Sequence, residues 1–297
     1  EAGVFRCPPI SSETANQGED NVNFTAAYFP FSKFLGGFAL NGSNGEELTN
    51  FVASPGLVLG THFMDYLTNS AVSDAVANGV YYLDLRSFGI DSRRDGVLLV
   101  THCKNEANYA LSKINNNDDE MDGTWTIYTH DNRKNGRNYE QDPVAFVFVP
   151  RTTTDVVSGM FTGDGVISMH SGQTPQFTVA WRTDIANGTY ELKIPGRSPN
   201  DGVLIISPAG GDGYNGDNIV TFEPNAARDG WLIQSRDLPG CGLQNLGGLD
   251  STPENEPVCS FVFIPAEKPG ITVTPNDNLK TTEDGGTAQF TVTLNGY

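Results

Sequence analysis

The sequence predicts an all-β protein with two tandem β-sandwich-like domains from an internal duplication, followed by a C-terminal two-strand tail. Short runs rich in β-branched and aromatic residues, such as GVLLV and AFVFVP, are bounded by turn residues, which is the pattern of β-strands. Several blocks of sequence recur in one order along the chain, and no long stretch carries apolar residues at helical spacing.

Four blocks of sequence occur twice with similar spacing. They are NGVYYLDL (78–85) with NGTYELKI (187–194), DGVLLV (95–100) with DGVLII (201–206), DGTWTIYTHDN (122–132) with DGWLIQSRDL (229–238), and DPVAFVFVP (142–150) with EPVCSFVFIP (256–265). Gly123 follows Gly96 by 27 residues, and Gly230 follows Gly202 by 28. Because chance similarity would not keep this register, we infer a duplicated unit.

The repeats set the domain boundaries. Residues 1–22 form a polar N-terminal arm, residues 23–151 the first repeat with an insertion, and residues 152–266 the second repeat. Asn-Gly and Asp-Gly pairs recur where strands begin, since tight turns need the positive φ that glycine adopts easily. Short, regularly spaced strands with such turns favour a sandwich of antiparallel strands.

Residues 267–297 contain two more strand patterns, ITVTP and TAQFTVTL. Two strands cannot bury a hydrophobic face, so this tail is an incomplete domain or a pair of donor strands. It either begins a domain of a longer protein or adds its strands to the sheet edge of a neighbouring copy. For the second case the sequence offers these assembly positions: Ile271, Val273, Phe290, Val292 and Leu294.

The tail segment ITVTP…LKTTEDGGTAQFTVTLN resembles the opening of a Calx-beta-like repeat of large secreted bacterial surface proteins. The DGxW and DPVxFVFVP endings of the two repeats resemble modules of such exported proteins. The resemblance implies a surface location and calcium binding in acidic loops that later strands complete. Those later strands do not follow here, so Glu283 and Asp284 are not assigned as ligands.

The charge balance makes two classes of partner unexpected. There are 36 acidic and 18 basic residues, which gives a net charge of −18 and a pI near 4.4. Such a surface repels phosphate backbones and anionic membranes, so we expect no nucleic acid partner. No segment reaches the roughly 20 apolar residues of a membrane span, so we expect no membrane insertion. Glycans remain candidate partners if Trp125 and Trp231, otherwise core residues, stack on sugars.

The four cysteines are Cys7, Cys103, Cys241 and Cys259, and no CxxC pair occurs among them. An even number in an acidic β-rich chain favours two disulfides and an oxidising compartment. Cys241 and Cys259 enclose a loop rich in Gly, Asn and Pro and form the natural local pair. Cys7 would then tie the N-terminal arm to Cys103. Four buried thiols are the alternative.

The sequence contains no HExxH, GxSxG, P-loop or EF-hand motif, so we expect no enzyme. GDGYNG at 211–216 spells GxGxxG, but a strand follows it where a dinucleotide site needs a helix. The acidic loop before Gly123 offers candidate calcium ligands, Asp118, Glu120 and Asp122, although Thr129 stands where an EF-hand loop requires an acidic residue. Calcium is the one cofactor that the sequence suggests.

The sequence as a whole predicts a secreted, extracellular or cell-surface structural protein. It would be a subunit of a filament, sheath or surface layer that self-associates into a homopolymer through strand edges or the C-terminal strands. The alternatives are a cell-surface adhesin or carbohydrate-binding module, and a non-catalytic region of a larger secreted protein.

Overall fold

The computed structural model describes residues 25–41, 48–65, 79–103, 108–115, 120–130, 141–186, 188–210, 218–237, 257–266, 270–274 and 291–295. In these residues the chain forms β-strands and one 3-10 turn, Arg86–Phe88, and no α-helix. The all-β prediction is confirmed. The predicted N-terminal arm, residues 1–22, lies outside the described residues.

Eight strands of the first repeat form two antiparallel four-stranded sheets. The strands are β1 Leu35–Asn41, β2 Leu48–Ala53, β3 Phe63–Asp65, β4 Val80–Leu83, β5 Gly96–His102, β6 Tyr109–Ile114, β7 Trp125–His130 and β8 Val144–Pro150. Sheet A has the order β2-β1-β8-β5, and sheet B has the order β3-β4-β7-β6.

The second repeat also forms two such sheets. Its strands are β9 Val157–Thr162, β10 Ile167–His170, β11 Thr178–Trp181, β12 Thr189–Lys193, β13 Gly202–Pro208, β14 Asn218–Pro224, β15 Trp231–Asp237 and β16 Pro257–Pro265. Sheet C has the order β10-β9-β16-β13, and sheet D has the order β11-β12-β15-β14.

The strand order repeats with a shift of eight. Adding eight to each strand number of sheets A and B gives the orders of sheets C and D. A side-chain hydrogen bond repeats as well: Ser54 Oγ accepts the N–H of Gly36 at 2.9 Å, and Ser171 Oγ accepts the N–H of Ser158 at 3.0 Å. The two halves therefore have one topology, as the recurring sequence blocks predicted.

Three of the recurring sequence blocks meet in the core of the first repeat. Trp125 is 1% exposed, and its ring lies tilted against Phe148 with centroids 5.6 Å apart. Gly96 covers the same phenyl ring, because a Cβ at this position would lie 2.8 Å from Phe148 and 2.3 Å from the carbonyl oxygen of Val149. This packing requires the glycine at the start of β5, the indole of DGxW and the phenyl of FVFVP.

The second repeat has the same arrangement. Trp231 lies tilted against Phe263 with ring centroids 5.3 Å apart. A Cβ on Gly202 would lie 2.6 Å from the Phe263 ring and 2.3 Å from the carbonyl oxygen of Ile264. The spacing of the sequence blocks is thus fixed by contacts between side chains in each core.

A third hydrophobic core joins the two repeats. Val97, Leu99 and Val149 of the first repeat are buried in it together with Met160 and Val262 of the second. Residues 1–264 consequently form a single compact unit, in which the four sheets are arranged like the blades of a four-bladed propeller. The prediction of two separate sandwich domains is wrong, because the outer faces of the two repeats are apolar and cover one another.

Residues 265–297 form a second compact unit. Its described strands, β17 Gly270–Thr274 and β18 Thr291–Asn295, pair antiparallel over five residue pairs and make a two-stranded sheet. We call this pair the C-terminal hairpin.

Candidate functional site

The C-terminal hairpin contains four of the five predicted assembly positions. Its register places Ile271 opposite Leu294 and Val273 opposite Val292, with threonine opposite threonine in between. Opposite residues of antiparallel strands share a face, and successive residues alternate between faces. The four aliphatic positions therefore fall on one face of the hairpin. Phe290, the fifth assembly position, lies outside the described residues.

The two tryptophans that were candidates for ligand stacking are core residues. Trp125 is 1% exposed and Trp231 is 2% exposed, and each packs against a phenylalanine inside its own repeat. A sugar-stacking platform needs an accessible ring face, so the ligand-stacking interpretation is wrong for both residues.

Arginine side chains bind the described part of the acidic loop. Arg93 donates to the Asp122 carboxylate, and Arg86 donates to the backbone carbonyl oxygens of Glu120 at 2.8 Å and Asp122 at 3.3 Å. No group of three potential metal ligands occurs in the residues that the structure describes. Asp118 lies outside them, so the calcium site remains a prediction.

Arg93 connects two loops at one end of the first repeat. Arg93 makes a two-pronged ion pair with Asp91, whose oxygens accept at 2.9 and 2.7 Å, in addition to its contact with Asp122. The hydrogen bonds from Arg93 lower the pKa of Asp91 to about 2. The N–H of Ser92 also donates to the carbonyl of Gly123. These contacts hold the loop that contains Asp91 and Arg93 against the acidic loop.

A buried histidine–carboxylate pair, which sequence reasoning missed, lies at the ends of sheets A and B. His102 Nε2 is 3.1 Å from Asp142 Oδ2, and the two side chains are 7% and 0% exposed. The two atoms lack the alignment of a hydrogen bond. Asn108 donates to the same carboxylate oxygen at 2.7 Å, and the Tyr81 hydroxyl donates to the backbone carbonyl of Asp142. These contacts anchor the start of β8.

The histidine–carboxylate pair belongs to the first repeat alone. Alignment of DGVLLVTH with DGVLIISP places Pro208 at the position of His102. The sequence contained one signal for this pair, namely that His102 differs from its counterpart in the second repeat. A residue needed only for the fold that the two repeats share would be expected in both.

His130 is a buried neutral histidine at the end of β7. Its side chain is 1% exposed, and its ring stacks on Tyr109 with centroids 5.0 Å apart and planes 7° from parallel. Burial disfavours the charged imidazolium, and the pKa of His130 falls to about 4.

Replacing His130 by phenylalanine is expected to make folding less sensitive to acid. The folded-state pKa lies below the usual 6.5, so between pH 6.5 and 4 the unfolded chain takes up a proton that the folded chain does not. Wild-type stability therefore falls over this range by roughly 3 kcal/mol more than that of the variant, which keeps the stacked ring. Urea unfolding of the wild type and the variant at pH 7 and pH 4 measures the loss of stability in each. Equal losses would contradict a lowered pKa of His130.

Both described cysteines are thiols in this structure. Cys103 is half-buried and Cys259 is fully buried, and burial raises the pKa of each thiol. Cys7 and Cys241 lie outside the described residues. No disulfide is seen among the residues that are described, so both proposed pairings remain predictions.

A pocket of about 450 Å³ lies where the segment joining the repeats meets the loop after β10. Hydroxyl, amide and guanidinium groups line it, among them those of Arg151, Thr152, Thr154, Ser171, Gln173 and Gln176. Such groups form hydrogen bonds with sugar hydroxyls. Glycan binding stays a prediction, which a glycan array with the wild type and an Arg151→Ala variant tests.

Comparison of the chain with protein-family models, with curated proteins and with solved structures finds no match in any of the three. Within the described residues, no helix has the length and apolar character needed to cross a membrane.

Proposed function

We propose that this chain is a secreted structural subunit of a filament, sheath or surface layer, and that its C-terminal hairpin pairs with a neighbouring copy. One observation carries the proposal. Residues 265–297 are a compact unit of their own, and the described strands of that unit make one two-stranded sheet. A hairpin of this size is marginally stable in water; a further strand beside it would supply hydrogen bonds, and the core of the sheet that it joins would cover its apolar face.

The charge distribution supports assembly through this hairpin. Copies of a chain with net charge −18 repel one another, so contact between them favours uncharged elements. The sequences of β17 and β18, GITVT and TVTLN, contain no charged residue. They also alternate β-branched or aliphatic residues with threonine, a pattern suited to strand pairing.

The first unit supplies a rigid body for such a subunit. Sheets A and B contribute to one shared core, and sheets C and D contribute to another. With the third core between the repeats and a small cluster of Val80, Leu111 and Tyr128, the described residues of this unit form four buried clusters. A subunit of this kind keeps its shape while its edge strands pair with neighbours.

Two lysine substitutions in β18 test the proposal. Val292→Lys places a charge on the aliphatic face of the hairpin, which must be covered on assembly, whereas Thr293→Lys places it on the threonine face. Burying an unpaired charge costs several kcal/mol, so we expect Val292→Lys to weaken assembly by more than about tenfold and Thr293→Lys to retain it.

Sedimentation velocity across a range of protein concentrations measures both variants against the wild type. A wild-type chain that stays monomeric, or a Val292→Lys variant that assembles as the wild type does, would contradict the proposal. A monomeric wild type is also expected if further residues of the same polypeptide complete the hairpin's sheet.

A further inference from the structure

Sheets A to D present eight edge strands, and those at the junction of the two repeats are already engaged. Ser207 Oγ accepts the N–H of Val100 at 3.1 Å and donates to its carbonyl oxygen at 3.3 Å, which ties β13 to β5. The N–H of Gly210 donates to the carbonyl oxygen of Ser112, which ties the end of β13 to β6. β5, β6 and β13 are therefore poor acceptors for another strand.

The other five edge strands differ in length and in the residues that protect edges. β3 has three residues, and β10 and β11 have four each. β14 has seven, but it contains Glu223 and ends in Pro224, and charges and prolines discourage edge pairing. β2 has six residues, LTNFVA, with no charge and no proline. Its position Val52 is 58% exposed, and Asn50 is exposed as well.

The backbone of β2 offers hydrogen-bonding groups on the side away from β1. Ser54 donates its N–H to the carbonyl of Gly36, so this pair belongs to the hydrogen-bonded set of the β1–β2 ladder. Hydrogen-bonded and non-hydrogen-bonded pairs alternate along an antiparallel ladder. Val52, opposite Phe38, therefore points its backbone groups at β1, and Ala53 points its N–H and C=O to the open edge. Within the described residues no strand pairs there.

We infer that β2 is the acceptor edge and that β18 of a second copy pairs with it, an inference that rests on the proposed function. β18 has five uncharged residues without glycine or proline, which fits a six-residue uncharged edge. Phe51 and Ala53 of β2 pack against the core of the first repeat. Val292 and Leu294, two apart along β18, continue that apolar face when β18 lies beside β2.

Substitutions in the full chain test this assignment. Val52→Lys places a charge on the edge strand, and Ala53→Pro removes an outward N–H that the ladder with β1 does not use. Val166→Lys is the matched control, because Val166 is 57% exposed in the turn before β10 and lies on no edge strand. Ala180→Lys probes the competing uncharged edge, β11.

We expect Val52→Lys and Ala53→Pro to remain monomeric at concentrations where the wild type, Val166→Lys and Ala180→Lys polymerise. Urea unfolding of each variant checks that it is folded. If Ala53→Pro does not fold, Val52→Lys alone tests the assignment of β2. Polymers from Val52→Lys, together with monomers from Val292→Lys, would overturn β2 as the acceptor and leave the hairpin's role intact. A monomeric wild type would overturn both.

Discussion

Replacing Trp125 or Trp231 by alanine is expected to destabilise residues 1–264 by about 3–5 kcal/mol. Each indole is at most 2% exposed and packs on a phenylalanine of its own repeat, so truncation leaves a cavity in a dense core. The two positions are equivalent in the duplicated topology, and we expect similar losses. Val166→Ala, which truncates an exposed side chain, should change stability by less than about 0.5 kcal/mol.

The number of transitions in the unfolding curve shows whether the two repeats unfold together. Because the third core joins the repeats, Trp125→Ala and Trp231→Ala are expected to shift one common urea transition. Far-ultraviolet circular dichroism of both variants and the wild type measures this shift. Two transitions, with each variant shifting a different one, would mean that the repeats are independent domains.

The strands and the duplication were predictable because the blocks that carry them pack against one another. The shared core between the repeats was not predicted, although GVLLV contained the signal. Val97, Leu98, Leu99 and Val100 are all buried, which requires cover on both faces of β5. A strand that is apolar at every position indicates such cover, whereas a sandwich with one solvated face gives alternation.

The chemistry of the described sites was less predictable, since it depends on contacts between distant segments. His102 and Asp142 are 40 residues apart and meet because β5 pairs with β8. Asp122 was a candidate cation ligand, but Arg93, in another loop, binds its carboxylate. Local composition identifies the acidic loop, and only the fold identifies the positive charge that faces it.

Removing residues 266–297 is expected to abolish assembly and to leave the free energy of unfolding of the remaining chain unchanged. The first unit has its own hydrophobic cores, so we expect a chain that ends at Pro265 to fold. The truncated chain keeps β2 as an acceptor but loses β18. It should therefore slow polymer growth when it is mixed with the full chain, because each truncated subunit that joins an end offers no donor strand.

Electron microscopy and sedimentation velocity of the full and truncated chains, at equal concentration, test whether residues 266–297 hold copies together. We expect regular polymers from the full chain and folded monomers from the truncated one. Polymers of the same form from both chains would contradict this account, as would a full chain that remains monomeric at every concentration.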